Sequence, residues 1–298
     1  MTGKTYLVLS TSSYGYQIYD DETKETSFHE HRRKISFQEK KIVIGDRVTL
    51  DDAGFINQIE DRKNYLPRPR LSNVDCVYVL ASLTQPDFSS YLLDKFLSLI
   101  SYSSLKAGII LTKYDLLSPA EKRKMKTRMS WYQKISYPVY FVNAKDDTKF
   151  DFPKLREDIK GKTVAFVGQT GVGKSSLMNS IDENFSRKVD ALFVNSGRGR
   201  HTTKEVVLLP YQDGFLFDTP GFSSLDLIDI NSKDLALCFP GYESYTGKCK
   251  FTDCLHKEES LGCKVKEDVG SQLSLDSYEN YLKILEEVKE NDKWKKKI

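Results

Sequence analysis

The stretch that decides the fold is Gly168-Gln169-Thr170-Gly171-Val172-Gly173-Lys174-Ser175. It follows the apolar run Val164–Val167, and apolar residues at helical spacing come after it. A strand, a glycine-rich loop and a helix in this order are typical of a phosphate-binding loop, where backbone N–H groups and the positive helix N-terminus hold phosphate oxygens. Lys174 would reach the outer phosphates and Ser175 would bind Mg²⁺. The sequence therefore predicts a nucleoside triphosphate site in an α/β domain.

A second motif, DTPG at Asp218–Gly221, follows the apolar run Phe215–Phe217. A carboxylate at the end of a strand can hold a magnesium-bound water, and a flexible glycine can donate its N–H to a terminal phosphate. By itself D-x-x-G is a weak signal. Its position behind a strand and downstream of the phosphate loop makes it a candidate nucleotide switch.

Two motifs for base recognition come before the phosphate loop: TKYD at Thr112–Asp115 and VNAK at Val142–Lys145. Asp115 can accept hydrogen bonds from the ring N–H and the exocyclic amine of guanine, and Ala144 can donate a backbone N–H to the guanine oxygen. In an ordinary nucleotide switch these motifs follow the phosphate loop. A rotated order is compatible with the same pocket, because a sheet depends on which strands are neighbours in space.

TKYD, VNAK, the phosphate loop, GRGRHTT at Gly197–Thr203 and DTPG, followed by a Cys/His cluster, resemble the circularly permuted, small-ribosomal-subunit-dependent GTPases (RsgA/YjeQ). The resemblance covers essentially the whole chain. It implies an N-terminal OB-type RNA-binding barrel at 1–66, a permuted GTPase domain at 67–224 and a zinc domain with a C-terminal helix at 225–298. It also implies GTP hydrolysis stimulated by the small ribosomal subunit, with the subunit and its rRNA as partners in late subunit maturation.

The resemblance and the motifs together predict the site residues. Those expected to bind GTP are Thr112, Lys113, Asp115, Ala144, Gly168, Gln169, Thr170, Gly171, Val172, Gly173, Lys174, Ser175 and Ser176. Those expected to bind Mg²⁺ are Ser175, Thr203 (or its neighbour Thr202) and Asp218. Those expected to serve catalysis are His201, which would organise the attacking water, Lys174 and Gly221.

Two residues depart from common GTPase patterns. Thr112 stands where many guanine-binding proteins carry an Asn whose amide ties the base loop to the phosphate loop, so we expect weaker but still guanine-selective binding. Phe222 follows DTPG, where Ras-type switches carry a Gln that orients water. We therefore expect slow hydrolysis by the isolated chain.

The cysteine pattern predicts a structural metal site. Cys249-x₄-Cys254-x-His256-x₆-Cys263 offers three thiolates and one imidazole, the ligand set of a closed tetrahedral zinc site. Charged residues surround this cluster, which fits poorly with cysteines that merely pack. We interpret Cys76 and Cys238, in apolar runs, as packing residues.

Composition limits the partners and the compartment. The net charge of +3, from 45 basic and 42 acidic residues, is too small to argue for nucleic-acid binding, so any RNA contact must use local patches. One such patch is the basic segment Glu121–Met129, either a solvated face or an RNA contact. We find neither a leader-like start nor an apolar run of membrane length, and we expect a cytoplasmic monomer.

Short β-type runs up to about Tyr65 predict a small barrel, and a linker with Pro67 and Pro69 leads into alternating strands and helices. Two other functions remain open at this point. A P-loop kinase or ATPase would share the phosphate loop, and a nucleotide-responsive RNA-binding module would hydrolyse GTP only incidentally. The pocket motifs alone also fit permuted GTPases that serve the large subunit.

Overall fold

The computed structural model describes residues 4–32, 41–195, 206–219, 227 and 229–295. They form an N-terminal antiparallel sheet, a central α/β unit and a C-terminal helical unit that contains the Cys/His cluster. Within the described ranges, every helix is too short or too polar to span a lipid bilayer.

The N-terminal sheet has five antiparallel strands in the order β3-β2-β1-β4-β5. Their bounds are β1 Thr5–Thr11, β2 Tyr16–Tyr19, β3 Thr26–His29, β4 Arg47–Leu50 and β5 Ile56–Ile59. Its two outer strands are linked, because the Arg32 N–H donates to the carbonyl of Ile56 (3.0 Å) and the Ile56 N–H donates to the carbonyl of Glu30 (2.8 Å). The sheet therefore curves around a small core of Val8, Ile18, Val48 and Ile56.

A short ribbon, β6 Tyr65–Pro67 and β7 Arg70–Ser72, follows this sheet where the sequence predicted a linker. The ribbon is held to the sheet by the fully buried carboxylate of Asp46, which accepts from Arg62 Nε (2.7 Å) and from the Ser72 hydroxyl (2.6 Å). Pro67 is the last residue of β6 and Pro69 lies in the turn between the strands, two positions at which proline is tolerated. The segment is thus a structural clamp and not a free connection.

The central sheet has six strands in the order β10-β9-β8-β11-β13-β12. Their bounds are β8 Cys76–Ser82, β9 Ala107–Thr112, β10 Val139–Phe141, β11 Thr163–Gly168, β12 Val207–Tyr211 and β13 Gly214–Asp218. The first five in this order are parallel, and β12 pairs antiparallel with β13. Their apolar runs fit a parallel sheet buried on both faces, which confirms the predicted α/β class.

Helices connect and cover these strands. In the central unit they are α1 Ser90–Tyr102, α2 Pro119–Lys134, α3 Phe152–Ile159, α4 Lys174–Ile181 and α5 Phe185–Asn195, with a 3₁₀ turn at Tyr114–Leu116. In the C-terminal unit they are α6 Ser232–Cys238, α7 Lys264–Asp268 and α8 Leu275–Lys295, with a 3₁₀ turn at Glu243–Tyr245. Helix α2 begins with a reciprocal capping box formed by Ser118 and Glu121.

Strand order explains how motifs that are scattered along the chain meet. β8 lies between β9 and β11, with Ser82 opposite Thr112 and Leu80 opposite Gly168. The carboxyl ends of parallel strands lie at one edge of a sheet, which is where ligands bind in open α/β folds. TKYD and the phosphate loop therefore emerge at the same edge, two strands apart.

A buried carboxyl group joins the central unit to the C-terminal helix. Asp94 of α1 is 0% exposed and accepts from the Tyr132 hydroxyl of α2 (2.7 Å) and from Asn280 Nδ2 (2.8 Å) and the Ser277 hydroxyl (3.2 Å) of α8. Burial raises the pKa of Asp94 to about 7, although the three hydrogen bonds act in the opposite direction. The carboxyl group of Asp94 thus makes polar contacts that connect three helices.

Asp94 makes stability depend on pH in a defined direction. Because its pKa is higher in the folded chain, the stabilisation from the protonated group is fully present below the unfolded pKa near 3.8. It is lost as the pH rises to about 7. We expect the free energy of unfolding of the wild type to fall, relative to Asp94→Asn, between about pH 5 and pH 7. Urea unfolding at several pH values measures this, and parallel curves for the two proteins would contradict it.

The Asp94→Ala variant leaves three buried donors without their acceptor. We expect it to destabilise the chain by about 3 kcal/mol at pH 7, since each unsatisfied buried polar group costs about 1–3 kcal/mol and some will find water. Asp94→Asn is the matched control, because its amide retains an acceptor and the Tyr132 hydroxyl can accept from its NH₂ group. A loss below about 1 kcal/mol in Asp94→Ala would show that the contact is not needed.

Candidate functional site

The phosphate loop connects β11 to α4 through a backbone that only glycine allows at several points. A Cβ at Gly168 would clash with the carbonyl oxygen of Leu80, and Gly171 and Gly173 have φ of +85° and +92°. Gln169 and Val172 lie between these glycines, and Thr170 is exposed at the tip. Ser175 and Ser176 are exposed in the first turn of α4. The loop therefore has the shape and accessibility that phosphate binding requires.

Lys174 meets the second switch motif. Its Nζ lies 3.2 Å from Asp218 Oδ1, at the end of β13. Burial lowers the pKa of Lys174, and the Asp218 carboxylate acts against that shift. A largely buried ammonium group with one carboxylate neighbour favours an anionic ligand, so the residues expected to hold phosphate and Mg²⁺ lie side by side.

Thr219 fixes the start of DTPG. Its buried hydroxyl donates to the carbonyl of Phe166 in β11 at 2.6 Å. This bond holds Asp218 beside the phosphate loop. Thr219 belongs to the DTPG motif, but the sequence alone did not predict a role for it.

Thr112 connects the base-recognition loop to the phosphate loop, although it lacks the Asn amide that usually makes this connection. Its hydroxyl, which is 1% exposed, donates to the carbonyl of Val172 in the phosphate loop at 2.6 Å. The bond ties the base-recognition motif to the phosphate loop, the task that an Asn amide performs in many guanine-binding proteins. One hydroxyl is sufficient for this tie.

Lys113 strengthens the same connection. Its backbone is left-handed (φ 60°), and its Nζ donates to the carbonyls of Thr84 and Gly171 at 3.2 Å each and to that of Gln85. Asp115 follows on the 3₁₀ turn, half-buried, and no group in the described parts of the chain hydrogen-bonds to its carboxylate. The arrangement leaves Asp115 available for a base. Nothing in the sequence pointed to Thr84 or Gln85, which act through backbone carbonyls.

VNAK lies against the TKYD turn and against helix α4, which follows the phosphate loop. The Tyr114 N–H donates to the carbonyl of Val142 (3.4 Å), and the Ser180 hydroxyl of α4 donates to the carbonyl of Ala144. Sequence reasoning did not identify Ser180, whose role depends on a loop distant in sequence. The three segments thus converge at one edge of the sheet.

Four residues with predicted roles lie outside the described residues: His201, Thr203, Gly221 and Phe222. The predictions made for them, including the first switch at Gly197–Thr203, stay predictions.

The Cys/His cluster is assembled as its spacing predicted. The ligand atoms of Cys249, Cys254, His256 and Cys263 all lie within 4.8 Å of one another, with His256 Nδ1 3.6 Å from Cys249 Sγ and 3.4 Å from Cys263 Sγ. Burial lowers the pKa of His256 and raises the pKa of Cys263 to about 12. A neutral imidazole is ready to ligate, whereas clustered buried thiols need a cation to ionise. The four residues fit a tetrahedral metal site.

Helix α8 holds the loop that carries these ligands. The hydroxyls of Tyr278 and Tyr281 donate to the carbonyls of His256 (3.0 Å) and Leu255 (2.7 Å). The backbone at His256 is left-handed (φ 51°), which turns its ring toward the thiols. The cluster and the last helix are therefore one packed unit.

Comparison with known proteins agrees with this geometry. The family model for the RsgA GTPase matches residues 59–228. The small ribosomal subunit biogenesis GTPase RsgA of Mycoplasmopsis pulmonis is 37% identical over 295 residues, covering 97% of this chain and all of the relative.

The chain belongs to the RsgA GTPase family. Two solved structures are similar to it over 96% of its length. YloQ, a circularly permuted GTPase, matches with a TM-score of 0.78 and 30% identity over 95% of that chain. YjeQ from Thermotoga maritima matches with a TM-score of 0.79 and 33% identity over 98% of that chain. Membership in the RsgA family confirms the predicted GTPase activity and the permuted order of the motifs.

The tie between Thr112 and Val172 can be tested by a matched pair of variants. Thr112→Val keeps the shape and removes the hydroxyl, which leaves the Val172 carbonyl without its donor. We expect GTP and GDP affinity to fall about tenfold, the equivalent of one lost hydrogen bond of about 1.4 kcal/mol. Thr112→Ser retains the hydroxyl and should bind within about twofold of the wild type. Titration with a fluorescent guanine nucleotide measures both, and equal affinities for Val and Ser variants would refute the role.

Proposed function

We propose that this chain hydrolyses GTP during late maturation of the small ribosomal subunit, that it binds the subunit and its rRNA, and that the subunit stimulates hydrolysis. The observation that carries the proposal is the hydrogen bond from Thr112 to Val172, which brings guanine-recognition and phosphate motifs into one pocket in permuted order. Relatives over nearly the full chain are named for small ribosomal subunit biogenesis.

Each residue of the pocket has a proposed role. Asp115 and Ala144 select guanine, and Lys113 braces the base loop against Gly171. Gly168 to Ser176 hold the phosphates, with Lys174 on the outer ones. Ser175 and Asp218, with Thr203, would hold the Mg²⁺ that accompanies GTP and neutralises the charge of its phosphates. His201 would orient the attacking water, and the N–H of Gly221 would sense the terminal phosphate.

The N-terminal unit is proposed to be an OB-type barrel that binds RNA, within a division of the chain at 1–66, 67–224 and 225–298. The strand order and the link between the outer strands support a closed five-stranded barrel of this type. Tyr14 and Phe28 are 75% and 42% exposed on it, and exposed aromatic rings offer stacking surfaces for bases.

We further propose one structural zinc ion at Cys249, Cys254, His256 and Cys263. The closed set of four ligands supports it, since no position remains for a reactive water. Cysteines outside a disulfide framework also support a reducing compartment, and we propose that the protein acts in the cytoplasm as a monomer.

GTP turnover with purified subunits tests the proposed function. The isolated chain should hydrolyse GTP slowly, and small subunits should accelerate it by at least about tenfold, because Phe222 cannot position water. Large subunits should have little effect. His201→Ala should lose the stimulated rate while it retains GTP affinity.

Three outcomes would contradict the proposal. Rapid turnover without subunits would remove the need for a partner. Nucleotide-dependent subunit binding with unchanged turnover would favour an RNA-binding module with incidental hydrolysis. Competition by ATP as strong as that by GTP would favour a P-loop kinase or ATPase.

Metal analysis tests the zinc proposal. We expect one zinc per chain, lost in Cys254→Ser, together with a drop in Tm of about 5 °C or more, because metal binding stabilises the segment that it organises. Cys238→Ser changes a half-buried cysteine outside the cluster and should retain the metal. Full zinc occupancy in Cys254→Ser would exclude the four-ligand site.

A further inference from the structure

Helix α2 concentrates the positive charge of the molecule. It contains six basic residues and one acidic residue, a net charge of +5, whereas the whole chain carries +3. The remainder of the chain is therefore slightly negative. Local charge of this kind, and not net charge, is what marks a surface for a polyanion.

This arrangement is unfavourable for the helix itself. Lys122 and Lys126, and likewise Lys124 and Arg128, are like-charge pairs at i,i+4 spacing. Basic residues in the first two turns also oppose the helix dipole, whose positive end lies there. A conflict between local stability and charge placement is expected where a surface has a function.

Contacts within the chain involve three of the six cations of α2, and one of these three cations is paired with a carboxylate. Arg128 pairs with Asp276 (2.6 Å), and Lys134 donates to Gln272 (2.8 Å). Lys122 lies over the rings of Tyr114 (5.2 Å) and Phe150 (5.8 Å).

Arg123, Lys124 and Lys126 are exposed, and within the described ranges none of the three side chains has an acidic partner. We call these three residues the basic face. They lie within about one helical turn of 5.4 Å, which places their charges close enough to meet phosphates of neighbouring nucleotides. The capping box at Ser118 and the buried Met129 and Tyr132 fix the helix that presents them.

The position of the helix relates the basic face to the nucleotide site. α2 begins just after the turn that carries Asp115, and its other end contacts the C-terminal unit through Asp276 and Gln272. The exposed positions of α2 include no large apolar residue. A protein partner would favour aromatic anchors there, whereas a phosphate backbone needs only cations.

We propose that the basic face, Arg123, Lys124 and Lys126, is a docking surface for the phosphate backbone of RNA beside the guanine loop. This inference rests on the proposed function and adds a contact site in the central unit to it. The contact is electrostatic and independent of base sequence. It would place the bound RNA next to the segment that reads the nucleotide.

The test compares two triple variants of the full chain. Arg123→Gln/Lys124→Gln/Lys126→Gln removes the basic face. Lys106→Gln/Lys160→Gln/Lys162→Gln removes the same charge at the opposite edge of the central sheet, before β9 and β11. The probes are purified small subunits and a duplex RNA of about 20 base pairs of arbitrary sequence, titrated at several salt concentrations.

For the basic-face variant we expect affinity for both probes to fall about 10- to 100-fold at low salt, and the slope of log K against log salt to decrease by about 2–3. The control variant should change the slope by less than about 1. Guanine nucleotide affinity and basal turnover should be unchanged. The Tm of the basic-face variant should be equal to or above that of the wild type, since like-charge repulsion is removed.

Unchanged affinity and slope in the basic-face variant would overturn the inference, as would equal losses in the two triple variants. A loss on subunits with full binding to the duplex would assign the surface to an acidic protein and reject RNA. These outcomes are separate from failure of the proposed function. If small subunits stimulate the wild type and the basic-face variant equally, only the docking surface is wrong.

Discussion

A hydrogen bond from the Thr112 hydroxyl to the carbonyl of Val172 joins the two loops that are proposed to hold the base and the phosphates, although these loops are far apart in the chain. In a permuted order, chain connectivity does not place base recognition after phosphate recognition. Strand pairing brings the two loops to one edge of the sheet, and this buried bond fixes their separation. Lys113 adds a second connection through Gly171. The pocket is therefore a property of packing and not of sequence order.

Local patterns made the motifs predictable, because each depends on residues close together in sequence. Strand, glycine loop and helix are contiguous around Lys174, and the Cys/His spacing alone indicated the four residues that the structure brings together. The role of Thr112 was not predictable, since its partner is 60 residues away. Its side chain also lacks the amide of the Asn that many guanine-binding proteins carry at this position. The same holds for Asp94, which interrupts the apolar pattern of α1. Its hydrogen-bond donors lie on α2 and α8, far away in sequence.

The C-terminal unit shares a continuous hydrophobic core with the central unit, and polar contacts join the two at defined points. Asp94 and Arg128 each reach α8, while Tyr278 and Tyr281 of α8 hold the cluster loop. α1 therefore packs against the helix that holds the cluster loop, so a movement of α1 would displace that helix. Since α1 begins beside the loop of Thr84 and Gln85, which Lys113 contacts, a short mechanical route runs from the base loop to the C-terminal unit.

The partners of Asp94 are distributed very unevenly along the chain. Tyr132 lies 38 residues away, but Asn280 lies 186 residues away, near the C-terminus. Until α8 packs against α1, the Asp94 side chain lies on a surface that α8 does not yet cover. Docking of α8 removes that group from water, and this burial raises its pKa and so favours the protonated form. Packing of α8 onto α1 is in this way linked to a protonation equilibrium.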